Sequence, residues 1–432
     1  MPDTANNSTD ANAAPTPAYF LSLSASNFRC FGPEQTLDLS DGNGRPAKWT
    51  VLLGENGVGK TTLLQVMATL HNDLEYVTLN ATESVRISAR FWVGDINISL
   101  PSSVVAASLK GGRKGVGFPT VPLQIKSAAP CIGYGANRES NPEWRSHQRT
   151  NYASIEPYAS SKTLFDLDDV LPSPNDWLLE SDYSARINEG QGNNKQRQRL
   201  SKVIQTLLAL LPDVSDFRFS TTNDTRMAPR VEALTPYGWV RVADLSLGYK
   251  TALTWMVDLA SRLFDRYPNS PNPLAEPAVV LVDEIDLHLH PKWQRELLQT
   301  LSETFPNAQF IVTAHSPLVV QAAPNANLAL LRREGDHVVI ENDVDYIRKW
   351  RVDQILASEL FGETDTHAPE VETLLDERTR LLSKSRLTKH DETRVAEIDY
   401  ELNELPTSAN GEDQKAIDLV RKTAALLRAK GK

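Results

Sequence analysis

Cysteine is almost missing from this chain of 432 residues: Cys30 and Cys131 stand 101 positions apart, in no metal-ligand spacing. That excludes a disulfide framework and a zinc module, and makes a reducing cytoplasm the expected compartment. Long apolar runs are missing too. No stretch approaches the ~18–20 residues a helix needs to span a bilayer, so no membrane partner is expected. The opening residues, MPDTANNSTDANAAPTPA, have neither the basic nor the apolar segment of a secretion leader, and residues 1–17 read as a disordered tail. Positive charge is in deficit, 45 Lys and Arg against 55 Asp and Glu, for a net charge of −10. This excludes a surface that holds nucleic acid or anionic membrane everywhere, while a confined basic groove stays open. Solenoid periods and sustained heptads are absent as well.

What is present suits a packed core. Hydrophobic residues make up 41% and charged residues 23%, and the length suggests two or three units of ~100–200 residues each. Alternation between Tyr19 and Leu39 predicts strands broken at Gly32-Pro33, and Asp41 to Pro46 reads as a turn. Trp49 to Leu53 reads as a buried strand, a Gly-rich loop follows, and Lys60 to Leu70 has helical composition. Residues 76 to 135 look β-rich, with Val85 to Phe91 the best alternating run. A helix is expected from Gln196 to Leu211, ended by Pro212. Val279 to Val282 and Gln309 to Val312 read as buried strands, with helical sequence from Trp293 to Phe305 between them. Strands alternating with helices indicate an α/β layer with parallel pairing. From Thr366 on, 25 of 67 residues are charged, and two apolar faces (Val395, Ile398, Leu402, Leu405; then Ile417, Val420, Ala424, Leu427) predict helices separated by Pro406 and Gly411.

Gly54 to Thr61 fits G-x-x-x-x-G-K-[ST] in full, between a strand and a helix. Glycines let the backbone curl so that its N–H groups point at phosphate oxygens, and the helix N-terminus adds partial positive charge. Nucleotide binding is therefore expected at Gly54, Asn56, Gly57, Val58, Gly59, Lys60, Thr61 and Thr62. Lys60 would reach the β- and γ-phosphates, and the Thr61 hydroxyl would ligate Mg²⁺. The apolar strand ending in Asp283 and Glu284 supplies the second half. Asp283 is the expected Mg²⁺ partner, and Glu284 is placed to orient or deprotonate the attacking water.

Two further stretches specify the class. Asp244-Leu245-Ser246-Leu247-Gly248-Tyr249 puts its serine 37 residues before Asp283, and Ile311 to Ser316 puts His315 32 residues after it. These resemble the signature and the switch histidine of ABC-type ATPases. Asp283 to Pro291, Asn27-Phe28-Arg29-Cys30-Phe31 and Gly133-Tyr134-Gly135-Ala136-Asn137-Arg138 resemble the RecF/OLD- and SMC-like AAA family ATPases of prokaryotes. The resemblance covers most of residues 18–362, more loosely at 140–235. It implies a P-loop NTPase of ABC-type head architecture: α/β, a parallel or mixed sheet with an antiparallel β subdomain and a helical insert, plus a C-terminal helical appendage. The expected layout is a head over 18–365, an insert at about 140–240, and a charged appendage over 366–432.

The same resemblance implies ATP and Mg²⁺ as cofactors and a homodimer or higher oligomer formed through the ATP sites. Ser246 and Gly248 would bind the γ-phosphate of the nucleotide held by the opposing head. His315 would contact the γ-phosphate in cis, and Arg29 would lie near the nucleotide. Leu247-Gly248-Tyr249 departs from the sequence of many relatives, which implies weak or conditional trans catalysis. Gln124 is the candidate for a coupling glutamine, and the H-x-H pair His288 and His290 lacks the clustered ligands of a metal site.

The 186 positions between Lys60 and Ser246 leave no room for the long coiled-coil arms of SMC proteins, and the 70 residues after Gly362 leave none for an OLD-type nuclease domain. Stand-alone heads of this kind resemble Septu-type and retron-associated anti-phage ATPase subunits, which work beside a separate nuclease or toxin. ATP-driven dimerisation gating such an effector is the leading expectation. A nucleotide-sensing scaffold with little turnover and a transporter nucleotide-binding subunit are the alternatives. DNA is a candidate partner. Lys195, Arg197, Arg199 and Lys202 form a run without an acid, and Arg113 and Lys114 adjoin Gly111-Gly112. The run reads equally as a solvated helix face.

Overall fold

A computed structural model describes residues 17–72, 86–93, 96–104, 129–138, 140, 160–189, 194–220, 229–323, 325–342, 344–356, 358, 369–382, 384 and 388–404. The tail to residue 16, Val85, Gln124, the Gly111–Lys114 stretch, Leu405, Pro406, Gly411 and the face from Ile417 to Leu427 lie outside the described residues. The chain divides into two compact units, Met1–Glu363 and Thr364–Lys432.

The first unit is organised by a six-stranded sheet. Its strands are β3 (Trp49–Leu53), β6 (Cys131–Tyr134), β10 (Ala278–Val282), β11 (Ala308–Thr313), β12 (Asn327–Glu334) and β13 (His337–Glu341), in the order β13-β12-β3-β11-β10-β6. All pairings are parallel except the edge hairpin β12–β13, so the sheet is mixed. β3, β10 and β11 are buried at every position, as strands covered on both faces must be. Alternation along them splits the core into two layers. Trp49, Val51, Val280, Val282, Phe310 and Val312 join one apolar cluster, and Leu52, Val279, Leu281 and Ile311 join the other. Trp49 stacks on Phe310 at 4.3 Å between ring centroids.

An antiparallel β subdomain covers the second layer, with β1 (Ala18–Ser26), β2 (Gln35–Asp38), β4 (Arg86–Val93) and β5 (Ile96–Val104) in the order β2-β1-β4-β5. Helix α1 (Lys60–Asn72) shares that apolar cluster through Leu63, Leu64, Met67 and Leu70. Gln309 ties the two sheets: its buried amide donates to Phe20 O and accepts from Phe20 N, both at 2.8 Å.

The insert holds α2 (Pro174–Glu189) and α3 (Lys195–Leu210). It also holds an antiparallel sheet of β7 (Asp216–Ser220), β8 (Arg230–Thr235) and β9 (Gly238–Arg241). The insert is thus not wholly helical, because short strands such as Phe217-Arg218-Phe219 carry period-two burial that the longer helices mask. Helix α4 (Leu247–Arg266) begins on the signature, and α5 (Pro291–Thr304) begins at a proline in its first turn rather than at Trp293. Short helices α6 (Pro317–Gln321) and α7 (Val352–Leu356) follow.

The second unit contains α8 (Pro369–Leu382) and α9 (Lys389–Glu404). Thr388 caps α9 reciprocally with Asp391: each side-chain oxygen accepts from the other residue's backbone N–H, at 2.9 and 3.2 Å. Arg394 pairs with Glu377 at 2.9 Å and Arg378 with Asp399 at 2.6 Å. Among the described residues of the chain, no helix is long and apolar enough to cross a membrane.

Candidate nucleotide-binding site

The loop between β3 and α1 passes through left-handed backbone at Gly54, Gly57 and Gly59. At Gly59 the glycine is required twice over. Its φ is +91°, and a Cβ there would sit 2.5 Å from Cys30 Sγ. The curled loop and the start of α1 open onto a pocket of about 290 Å³, lined by Asn56, Gly57, Gly59, Lys60, Thr61, Thr62, Asp283, Glu284 and His315. Lys60 is buried, and its ammonium donates back to the carbonyls of Gly54 (2.8 Å) and Glu55 (2.7 Å). Burial lowers its pKa, and the carboxylates of Asp283, Glu284, Asp286 and Glu55 oppose that shift.

Asp283 follows β10 directly and lines the pocket. The Thr61 hydroxyl donates to Asp283 Oδ2 at 2.7 Å, and the Thr313 hydroxyl donates to Oδ1 at 2.7 Å. Glu284 has φ +48°, a conformation that costs a non-glycine residue ~1–2 kcal/mol and persists only where neighbours hold it. Its N–H donates to Thr313 Oγ1 at 2.7 Å, and its carbonyl accepts from Arg138 at 2.8 Å. Past it, Asp286 is buried and accepts the His315 N–H on Oδ2 at 3.0 Å, while Oδ1 has no partner among the described residues. Burial raises the Asp286 pKa. The loop carrying His315 is fastened to α5: Ser316 donates to Gln294 Oε1 at 2.6 Å, and Gln294 donates to the carbonyls of Asp286 and Leu289.

Arg29 lies beside the pocket, donating to Thr62 Oγ1 and Gln65 Oε1, each at 3.0 Å, from a backbone with φ +51°. Ser246 and Gly248 are elsewhere. Neither lines the pocket; Ser246 is exposed at the start of α4, with no hydrogen bond from its side chain to cap the helix. Gly248 presses against the loop after Glu284, where a Cβ would stand 2.3 Å from His288 O. Val58 is buried beneath the loop, its carbonyl 3.6 Å from Cys30 Sγ. On α3, Arg199 is committed to the carbonyls of Phe264 and Pro268, both at 3.3 Å, so the basic run is not four free cations.

Sequence reasoning leaves three contributors without a role: Thr313, Arg138 and Asp286. A threonine ending the buried strand before His315 is the available signal for Thr313, since a hydroxyl there needs a polar partner. The residues fit Mg²⁺ and a nucleotide. The hydroxyl of Thr61 and the carboxylate of Asp283 form a hard oxygen pair, the loop supplies left-handed backbone, and Lys60 supplies charge. No cluster of three His, Cys, Asp or Glu that could hold a metal ion exists among the described residues.

Residues 151–321 match the family model described as AAA domain, putative AbiEii toxin, Type IV TA system. Septu protein PtuA of Bacillus mycoides (strain KBAB4) is 26% identical over 361 residues, covering 83% of this chain and 46% of the relative. A retron Vc95 probable ATPase of Vibrio cholerae serotype O1 biovar El Tor is 35% identical over 158 residues, covering 36% and 28%. The chain spans less than half the length of both relatives. Among solved structures, an SMC head domain from Thermotoga maritima aligns over 75% of this chain and 98% of that one, with TM-score 0.40 and 15% identity. Residues 151–321 thus carry the match to an AAA domain, and the chain is similar in sequence to Septu protein PtuA and to a retron-associated probable ATPase.

Proposed function

We propose that this chain binds ATP with Mg²⁺ in the pocket at the β3–α1 loop and hydrolyses it. We further propose that two heads close over their nucleotides to regulate a separate effector, a nuclease or toxin, in anti-phage defence. The observation that carries the proposal is the meeting of Thr61 and Asp283 at 2.7 Å, with Lys60, Glu284 and His315 on the same pocket. In this reading Lys60 leaves the carbonyls of Gly54 and Glu55 and turns to the phosphates. Thr61 and Asp283 would hold the metal, which would offset phosphate charge. Glu284 holds or deprotonates the attacking water, and His315 meets the γ-phosphate. Ser246 and Gly248 serve the site of a second copy, since they are absent from the pocket of their own. The names of the Septu and retron relatives support the assignment to defence.

The test is Glu284→Gln. General-base removal lowers turnover ~10²–10⁴-fold. With ATP and Mg²⁺ the variant should accumulate a dimer, read by light scattering, that wild type does not hold. Unchanged phosphate release and an unchanged oligomeric state would overturn the hydrolytic reading. A wild type that dimerises on ATP without releasing phosphate would favour the sensing scaffold.

A further inference from the structure

A buried cation stands behind the nucleotide pocket without lining it. Arg138, in the turn after β6, is 3% exposed, and its guanidinium forks to two consecutive backbone carbonyls. Nη1 donates to Asp283 O at 2.7 Å and Nη2 to Glu284 O at 2.8 Å. Its Nε has no acceptor, and it forms no ion pair among the described residues. Burying a guanidinium this way is unfavourable unless fixed dipoles and nearby charge replace its water. Burial pulls its pKa down to about 10, and Asp283, Glu284 and Asp286 act against that fall. An apolar side chain would avoid the desolvation penalty of the charge but would take these donors from the carbonyls of Asp283 and Glu284. The cation therefore needs a reason beyond packing.

That reason lies at the tip of β10. The sheet order puts β11 on one side of β10 and β6 on the other. From β11, Thr313 takes the Glu284 N–H, and from the end of β6, Arg138 takes the Glu284 carbonyl. Both peptide planes flanking a residue at φ +48° are thus held by side chains from the two neighbouring strands. A planar fork can hold two successive carbonyls at once, whereas an ammonium is a point charge with no such geometry.

We infer that Arg138 is a positioning residue for ATP hydrolysis, fixing the peptide planes of Asp283 and Glu284 so that the Glu284 carboxylate is aimed at the attacking water. The inference rests on the hydrolytic reading above. Arg138 acts through Glu284 and not on the nucleotide, so its loss lowers kcat and spares nucleotide affinity.

The experiment measures steady-state phosphate release and binding of a fluorescent ATP analogue for four full-length chains: wild type, Glu284→Gln, Arg138→Lys and the double variant. Displacing a catalytic group by ~1 Å costs on the order of 10²-fold, so Arg138→Lys should turn over ~10–100-fold more slowly while binding within about threefold of wild type. The double variant should be no slower than Glu284→Gln alone, because the two residues act as one unit. With Glu284→Gln slow, a wild-type rate for Arg138→Lys, a multiplicative loss in the double variant, or an affinity loss matching the rate loss each overturns this inference alone. If wild type releases no phosphate, or Glu284→Gln keeps the wild-type rate, the hydrolytic reading falls and takes this inference with it. Should Arg138→Lys show no cooperative unfolding transition, Arg138→Gln is the second variant and must show the same split between rate and affinity.

Discussion

Around the phosphate loop, polar side chains are already engaged inside one protomer: Lys60 with two carbonyls, Thr61 and Thr313 with Asp283, Arg138 with the strand tip. The signature turn, 37 residues before Asp283, shows the opposite condition. Ser246 is exposed and leaves its helix uncapped by its side chain, and Leu247 beside it is 49% exposed. A site of the first kind gains by preorganisation, since its dipoles need not reorient when charge arrives. A turn of the second kind, at the head of a 20-residue helix, suits an anion delivered by another molecule. The difference separates groups already partnered within the chain from a turn that the proposed role in a second copy would use.

The sharpest way to break this contrast is Lys60→Ala. Loss of a preorganised charge at the transferring phosphate should cut turnover ~10³-fold or more and abolish the rise in melting temperature that ATP produces. Ser246→Arg should be smaller and different in kind: nucleotide affinity of the isolated chain unchanged, the ATP-dependent dimer lost in light scattering, and turnover reduced ~10–10²-fold. Equal damage to affinity from both variants would erase the distinction between the two regions. Gly59→Ala should destabilise the fold by ~1–3 kcal/mol, measured by denaturant unfolding, because the added methyl meets Cys30 Sγ in a left-handed backbone. Smallest of all, Lys202→Glu at a half-exposed position of α3 should shift stability by less than ~0.5 kcal/mol. If DNA docks there, the variant should also flatten the salt dependence of DNA binding, by about one unit of slope for a phosphate no longer neutralised.

How legible each region is follows from how local its signal is. β3, β10 and β11 stand out in the sequence because both their faces are covered, which makes short continuous apolar runs. The loop from Gly54 to Thr61 is equally plain, since its glycines answer a local backbone demand. The hairpin β12–β13 and the sheet β7–β9 are hidden: their runs are short, partly exposed, and mixed with charge, as in Leu331-Arg332-Arg333-Glu334. Arg138 falls in a recurring stretch that gives it no role, because its partners are backbone carbonyls 145 and 146 positions away and no side-chain pattern announces such a bond. Thr313 and Asp286 are hard to assign for a related reason: their partners (the Asp283 carboxylate and Glu284 N–H for one, the His315 N–H for the other) lie about thirty positions away and meet them only in the fold.

The hydrogen bond from Thr61 to Asp283 closes a span of 222 residues, and the strand between their two strands, β11, comes later still. Synthesis at ~5–20 residues per second separates the emergence of the two halves by on the order of ten to forty seconds. Throughout that interval the nascent chain owns a phosphate loop with no carboxylate opposite it. Under the proposed hydrolysis, completion of the site is therefore a late event of translation, and an interrupted product ending before β10 lacks both Asp283 and Glu284.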